Sequence, residues 1–116
     1  MHIIALRTEE ELQGIYPFIR LLNPQMTEAV FHARLCEMVA AGYRCVAAVE
    51  DGETLGICGF WSGMKFWCGR YMDVDNLVVT EAARGRGTGE ALLDWVEAEA
   101  VRLGCDLIDM PVYTHN

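Results

Sequence analysis

A glycine-rich turn between an apolar strand and an amphipathic helix constrains this chain more than any other segment. The strand ends in Leu77-Val78-Val79, and the turn after it reads TEAARGRGTG over residues 80–89. Apolar positions then recur at helical spacing as far as Gly104, at Leu92, Leu93, Val96, Ala100 and Leu103. A helix N-terminus offers unpaired N–H groups and the positive end of the helix dipole. The turn therefore predicts an anion site suited to a pyrophosphate.

The first half of the chain predicts one strand and two helices. Residues 2–6 read as a strand, and Thr8 with Glu11 forms a capping box at the start of the first helix. Pro17 should kink or break that helix because proline lacks the N–H that a helix interior needs. Thr27 can cap a second helix that Gly42 ends.

The second half predicts three strands, a helix and a last strand. Strands are expected over residues 43–49, 54–61 and 70–79, with Asp51-Gly52 as a hairpin turn. A helix over residues 87–103 and a strand over residues 105–112 follow. The order β-α-α-β-β-β-α-β predicts a single α/β (α+β) domain, residues 1–116. Its central sheet should be mixed and mostly antiparallel, with helices on both faces.

Composition excludes several classes of function. The chain has 116 residues and a formal charge of −8, which disfavours nucleic-acid binding. It has no apolar run long enough for a membrane span and no signal-peptide pattern, so we expect a cytoplasmic protein with no membrane partner. Five cysteines without a C-x-x-C pair predict free, mostly buried thiols and no metal site.

Two other families that use a glycine-rich turn fit the sequence poorly. A Walker loop needs Gly-Lys-Ser/Thr, and here Gly89 is followed by Glu90. The dinucleotide fingerprint G-x-G-x-x-G lacks its third glycine, although Asp106 or Asp109 could stand for its ribose-binding acid. A dinucleotide-binding half-domain is therefore a weak alternative.

The motif Arg84-x-x-Gly87-x-Gly89 resembles the Q/R-x-x-G-x-G/A signature of the GNAT superfamily of N-acetyltransferases. The resemblance implies an acyl-CoA N-acyltransferase fold and direct transfer of acetyl from acetyl-CoA to a primary amine of a small molecule or peptide. It also implies that backbone N–H groups of the turn hold the pyrophosphate of acetyl-CoA, and that the preceding strand holds the pantetheine arm by its backbone. The residues concerned are Arg84, Gly85, Arg86, Gly87, Thr88 and Gly89 in the turn, and Leu77, Val78 and Val79 in the strand.

Asp73 and Asp75 are the two candidates for the base that takes up the amine proton, because the resemblance implies a carboxylate on this strand. Two positions apart on a regular strand, they share a face. Neighbouring carboxylates push one pKa upward, towards the range in which a general base works best. The alternative is that both are surface charges flanking a strand.

A cluster of aromatic and sulfur side chains lies between the second and third of these later strands. It comprises Trp61, Met64, Phe66, Trp67 and Tyr71. Core packing is favoured over a substrate wall, because such side chains bury large areas wherever they sit. By position, the resemblance also implies that the loop Asn23-Pro24-Gln25 lines the acceptor site.

The sequence departs from the family pattern at its end. Family members continue with a helix whose tyrosine often protonates the departing thiolate, whereas this chain stops at residue 116. Neither Tyr113 nor His115 occupies that tyrosine's position. Two expectations follow: a non-catalytic acyl-CoA-binding module, or a fragment that needs a partner, is the alternative function, and an exposed last strand could pair two copies into a homodimer.

Overall fold

Five strands and four α-helices make up residues 1–111, the part of the chain that the computed structural model describes. The strands are β1 (His2–Leu6), β2 (Arg44–Glu50), β3 (Glu53–Lys65), β4 (Gly69–Val79) and β5 (Leu107–Asp109). The α-helices are α1 (Glu9–Gln13), α2 (Tyr16–Leu22), α3 (Glu28–Ala40) and α4 (Thr88–Arg102), and a 3-10 turn covers Glu81–Ala83.

The sheet has the strand order β1-β2-β3-β4-β5. The first three pairings are antiparallel, and β4 pairs with β5 in parallel. The parallel pair requires a crossover, and α4 provides it. The predicted mixed, mostly antiparallel sheet is confirmed.

Helices cover both faces of this sheet because side chains alternate along each strand. Val46, Ala48 and Phe60 pack with α4 on one face. Cys45 and Ala47, one position along, pack with α1 and α3 on the other face. Ion pairs add to the packing of α4 on the first face. Glu99 on α4 accepts from Arg102 at 2.6 Å and pairs with Arg44 on β2 at 2.7 Å.

Several predicted helix caps, a helix break and a hairpin turn are confirmed. Thr8 and Glu11 form the reciprocal capping box, and Thr27 accepts from the backbone of Val30 at the start of α3. The single predicted first helix is broken in two, with Pro17 in the first turn of α2 where its missing N–H costs nothing. Asp51 and Gly52 both have positive φ, 52° and 76°, as a two-residue hairpin turn requires.

The last strand is much shorter than predicted. A strand over residues 105–112 is wrong for the described part, because only Leu107–Asp109 pairs with β4. Asp106 serves instead as a brace: its N–H donates to the carbonyl of Arg70, and its carboxylate accepts from the N–H of Arg70 at 2.9 Å. Val112, Tyr113, His115 and Asn116 lie outside the described residues.

The β3–β4 hairpin projects further than expected, since β3 runs on to Lys65. Core packing is therefore wrong for Met64, Phe66 and Trp67, which lie at the hairpin tip and are 63%, 112% and 75% exposed. Trp61, nearer the sheet centre, is half-buried and packs edge-on against Tyr43 at 5.5 Å.

Candidate functional site

The outer edge of β4 is mostly open. β3 pairs with β4 along its whole length, but β5 pairs only with residues 71–73. Within residues 1–111, no strand covers the outer edge of β4 over residues 74–79. Leu77, Val78 and Val79, the predicted backbone contacts for a pantetheine arm, lie on this open stretch.

The glycine-rich turn continues from that open edge. Gly85 and Gly87 have φ of 78° and 79°, a backbone conformation that glycine adopts without strain. A Cβ at either position would meet no atom within 4 Å, so the backbone conformation and not crowding selects glycine there.

Backbone N–H groups in this turn are available to an anion. Across residues 85–89, none of them donates to any acceptor in the described chain. Arg84 differs from the prediction, because its N–H donates to the carbonyl of Glu81 at 3.2 Å. Five of the six predicted N–H groups are thus free at the N-terminus of α4, where the helix dipole favours negative charge.

The two arginines of the turn have different environments. The Arg86 guanidinium is bonded to Glu50 at the end of β2, and Glu50 also faces the N-terminal amine of Met1 at 3.5 Å. The hydrogen bond from Arg86 lowers the pKa of the Glu50 carboxyl. The Arg84 side chain is exposed and has no partner within residues 1–111. Only Arg84 can therefore approach a phosphate without first giving up an ion pair.

Asp73 lies at the point where β4 and β5 stop pairing. It is opposite Asp109 in the parallel register, and both residues line the groove that opens between the two strands. Burial raises the pKa of Asp73, and the carboxylates of Asp109 and Asp75 raise it further. Lys65 acts in the opposite direction. The raised pKa moves this carboxyl towards the range in which a general base works best.

A β-bulge gives Asp75 its position. Val74 pairs with Phe60 and Asn76 pairs with Gly59, so Asp75 is an extra residue in β4. The bulge brings consecutive polar side chains towards α1–α3, where a regular strand would turn one of them away. Bulges of this kind are frequent next to active sites because they re-aim a side chain.

Hydrogen bonds hold both polar side chains. Trp61 donates its indole N–H to Asp75 Oδ2 at 2.9 Å, and the Tyr43 hydroxyl donates to Asn76 Oδ1 at 2.9 Å. Gly59 makes the second bond feasible, since a Cβ there would overlap Tyr43 Oη and Asn76 Oδ1. Asn76 Nδ2 is buried and has no partner within residues 1–111.

A cavity of about 210 Å³ lies between α2, α3 and this part of β4. Asp75 and Asn76 line it and also line the groove between β4 and β5, so they join the two spaces. Asn23 lines the cavity too, which agrees with the predicted position of the loop after α2. Sequence reasoning missed the cavity because its wall comes from two helices, the segments beside them and one bulged strand.

The cysteines take no visible part in this site. Burial raises the pKa of Cys45 and of Cys58 to about 12, so both thiols are protonated. All five cysteines are free. Within residues 1–111, no group of three or more His, Cys, Asp or Glu side chains is arranged to hold a metal ion.

Comparison with known proteins decides the family. Residues 5–116 match the model of the Acetyltransferase (GNAT) family. This chain belongs to the GNAT acetyltransferases. Over 99 residues it is also 36% identical to Glucosamine 6-phosphate N-acetyltransferase 1 of Oryza sativa subsp. japonica, which covers 76% of this chain. The chain spans only 60% of the length of that rice protein.

A second relative agrees with this family assignment. The chain is 24% identical to the Uncharacterized N-acetyltransferase YhdJ of Bacillus subtilis (strain 168), over 95% of this chain and 78% of that protein.

Solved structures share the fold. A GNAT family acetyltransferase from Staphylococcus aureus superposes with a TM-score of 0.79 at 23% identity, over 100% of this chain and 90% of that one. Glucosamine-6-phosphate N-acetyltransferase from Arabidopsis thaliana gives 0.75 at 19% identity, over 100% and 86%. These likenesses confirm an acyl-CoA N-acyltransferase fold.

Membership in the GNAT family removes the dinucleotide alternative. That fingerprint belongs to an open, mostly parallel sheet, whereas four of the five strands here are joined by antiparallel pairings. Asp106, one candidate for the ribose acid, is engaged with the backbone of Arg70. No helix within residues 1–111 is both long enough and apolar enough to cross a membrane.

Proposed function

We propose that this GNAT protein transfers acetyl from acetyl-CoA to a primary amine of a small molecule or peptide. The observation that carries the proposal is the continuity of the open β4 edge with the unpaired N–H groups of residues 85–89. Together they form an extended backbone surface that ends in an anion cradle. The absence of Cβ atoms at Gly85 and Gly87 leaves room for a diphosphate there.

Different residues along and after β4 would bind different parts of acetyl-CoA. Backbone N–H groups of Gly85, Arg86, Gly87, Thr88 and Gly89 would hold the pyrophosphate, and the free guanidinium of Arg84 would add charge. The backbone of Leu77, Val78 and Val79 would hold the pantetheine arm. Acetyl-CoA supplies an acetyl thioester: its C–S bond breaks as a C–N bond to the acceptor forms, and the thiolate leaves to be protonated from solvent.

Asp73 and Asp75 have different roles in this proposal. Asp75 faces the acceptor cavity and would attract the substrate ammonium, with its orientation fixed by Trp61. Asp73 lies in the groove between β4 and β5, where its raised pKa suits it to accept the amine proton, directly or through water. Asp109 supports that role from the neighbouring strand.

Thermal unfolding with acetyl-CoA, CoA and NADH tests the donor. A ligand at 100 times its Kd stabilises the folded state by about 2.7 kcal/mol, which is several degrees in Tm for a chain of this size. We expect a shift with acetyl-CoA and CoA and none with NADH. A shift with NADH alone would contradict the proposal. Binding without turnover of any amine would favour the alternative, a non-catalytic acyl-CoA-binding module.

Location and assembly complete the proposal. Five free cysteines are typical of a reducing compartment, which supports a cytoplasmic protein. A homodimer would use the outer edge of β5, which no described strand covers and where Leu107 is 37% exposed. Sedimentation at micromolar concentration tests this, and a clean monomer would exclude the dimer.

A further inference from the structure

We propose that the acceptor is a primary amine on an apolar body, an alkylamine or arylalkylamine, bound in the cavity between α2, α3 and β4. The inference deepens the proposed function and rests on it for the transfer step. It concerns which amines this chain selects.

The wall of the cavity is apolar almost throughout. Ile15, Phe31, Leu35 and Tyr43 are buried core residues that present one side to it. The remaining apolar wall comes from the partly buried or exposed side chains of Ile19, Leu22, Met26 and Met38. These apolar side chains gain free energy by burying CH₂ groups or a ring, and they offer no hydrogen-bond partner to a hydroxyl group beside them.

Asp75 and Asn76 bring polar groups into the cavity from β4, and Asn23 and Arg34 line it from the helical side. Asp75 carries a negative charge, and its Oδ1 is left over after Oδ2 accepts from Trp61. Asn76 lies beside it. An ammonium at the β4 end would contact Asp75 while the apolar body extends towards α3. The same end opens into the groove of Asp73, so the nitrogen would lie next to the proposed base.

The charges around the cavity disfavour a phosphorylated sugar. Among the lining residues that the structure describes, Arg34 is the one cation, and its side chain is exposed at the rim. Asp75 lies in the wall, and Asp73 and Asp109 lie in the adjoining groove. With its amine at Asp75, an amino sugar would direct a phosphate towards Arg34, and that exposed, solvated arginine would be its single ionic partner among the described lining residues.

The size of the cavity sets the size of the amine. Apolar cavities of about 150 Å³ accept benzene, and this one measures about 210 Å³. A six-carbon chain or a phenylethyl group should fill it. Longer chains would reach the rim at Arg34 and gain little more.

The experiment is a chain-length series with the whole chain and saturating acetyl-CoA. The acceptors are propylamine, butylamine, pentylamine, hexylamine, 2-phenylethylamine and glucosamine 6-phosphate. Each buried CH₂ contributes about 0.8 kcal/mol, so kcat/KM should rise about fourfold per added carbon up to hexylamine. Hexylamine binding in the presence of CoA, measured by calorimetry, gives a second readout that does not depend on catalysis.

Met38→Gln and Met64→Gln form a matched pair of variants. Met38 lines the cavity on α3 and is only partly buried, so the fold should accept glutamine there. Met64 is exposed at the hairpin tip, far along β3 from the cavity. We expect Met38→Gln to weaken hexylamine binding and kcat/KM about tenfold, and Met64→Gln to leave both unchanged.

The outcomes separate this inference from the proposed function. A flat or falling chain-length series, or a preference for glucosamine 6-phosphate, overturns the inference while acetyl transfer still supports the function. Hexylamine binding that depends on Met38 but gives no product supports the inference and contradicts the function. Neither binding nor transfer of any amine overturns both.

Discussion

The two proposed binding surfaces of β4 are built by different means. On the side of the glycine-rich turn, the binding groups are backbone N–H groups whose direction is set by two positive-φ glycines and the start of α4. On the side of the acceptor cavity, they are side chains from α2, α3, the segments beside them and a bulge in β4. The first surface is made by about ten consecutive residues, and the second needs most of the chain.

Because of this difference, the two surfaces should tolerate different amino-acid substitutions. A backbone cradle is insensitive to most side-chain changes but fails when its conformation or its space is lost. A side-chain cavity changes its selectivity with each lining residue. The donor should therefore be common to many chains with this turn, while the acceptor should vary with the helices that cover the sheet.

Gly87→Glu should have the largest effect. A side chain at φ 79° strains the turn, and its carboxylate would lie in the proposed anion cradle. We expect CoA affinity to fall at least 100-fold, measured as loss of the CoA-induced rise in Tm.

Gly104→Glu is its matched control. Gly104 has φ of 72°, with open space around its Cβ position, and follows the far end of α4. The control should lose similar stability yet keep its CoA shift. Equal loss of the shift in both variants would show that strain, and not the cradle, is responsible.

Asp73→Asn and Asp75→Asn should separate the two sides kinetically. Loss of a general base costs about 10²–10⁴-fold in rate, so Asp73→Asn should lower kcat. Asp75→Asn should mainly raise KM for the amine. Acetyl-CoA affinity should not change in either, and exposed Asp94 on α4 provides a charge control as Asp94→Asn. Full activity in both variants would exclude these carboxylates from the chemistry.

Gly59→Ala should impair the acceptor side alone. The new methyl group would overlap Tyr43 Oη and Asn76 Oδ1 and break the hydrogen bond between them. Overpacking of this kind costs about 1–3 kcal/mol, visible in denaturant unfolding. Amine KM should rise while the Kd for CoA stays the same. A change in the Kd for CoA of similar size would show that the two sides are not independent.

The pH dependence of stability should show the smallest effect. Folding raises the pKa of Asp73 above its ordinary value of 3.8, so the folded state binds this proton more tightly. The stability from this group is fully present below that value and is lost as pH rises through the raised pKa. Asp73→Asn should therefore raise Tm at pH 7. The gain should vanish as pH falls below 4, and a gain that does not change with pH would show that the Asp73 charge is not its cause.

Features that depend on a few neighbouring residues could be predicted from the sequence, and features that depend on contacts between distant segments could not. The turn at Gly85 and Gly87, the cap at Thr27 and the break at Pro17 depend on a few neighbouring residues, so their patterns were sufficient. The bulge at Asp75 could not be predicted, because it depends on the register between Gly59 and Asn76. The prediction of core packing for Phe66 and Trp67 was wrong for a related reason. Hydrophobicity alone does not show whether another helix or strand packs against the hairpin tip.

The same distinction applies to the candidate site. The pattern predicted the anion cradle as a local unit, and the family resemblance led to Asp73 and Asp75 as carboxylates on one strand. The cavity that Asp75 faces requires α2 and α3 to be in place, and the opposition of Asp73 to Asp109 requires β5. The chemistry of both carboxylates stays a prediction, which the two asparagine variants test.

The short pairing of β5 has a consequence for the behaviour of the protein in solution. Amide hydrogens on the open stretch of β4 have water as their partner when no ligand is bound, so they should exchange with solvent faster than those facing β3. A bound acyl-CoA would act there as a substitute strand. Ligand would then slow exchange along that edge and also shield it from pairing with other polypeptides, so the shelf life of concentrated protein should depend on CoA.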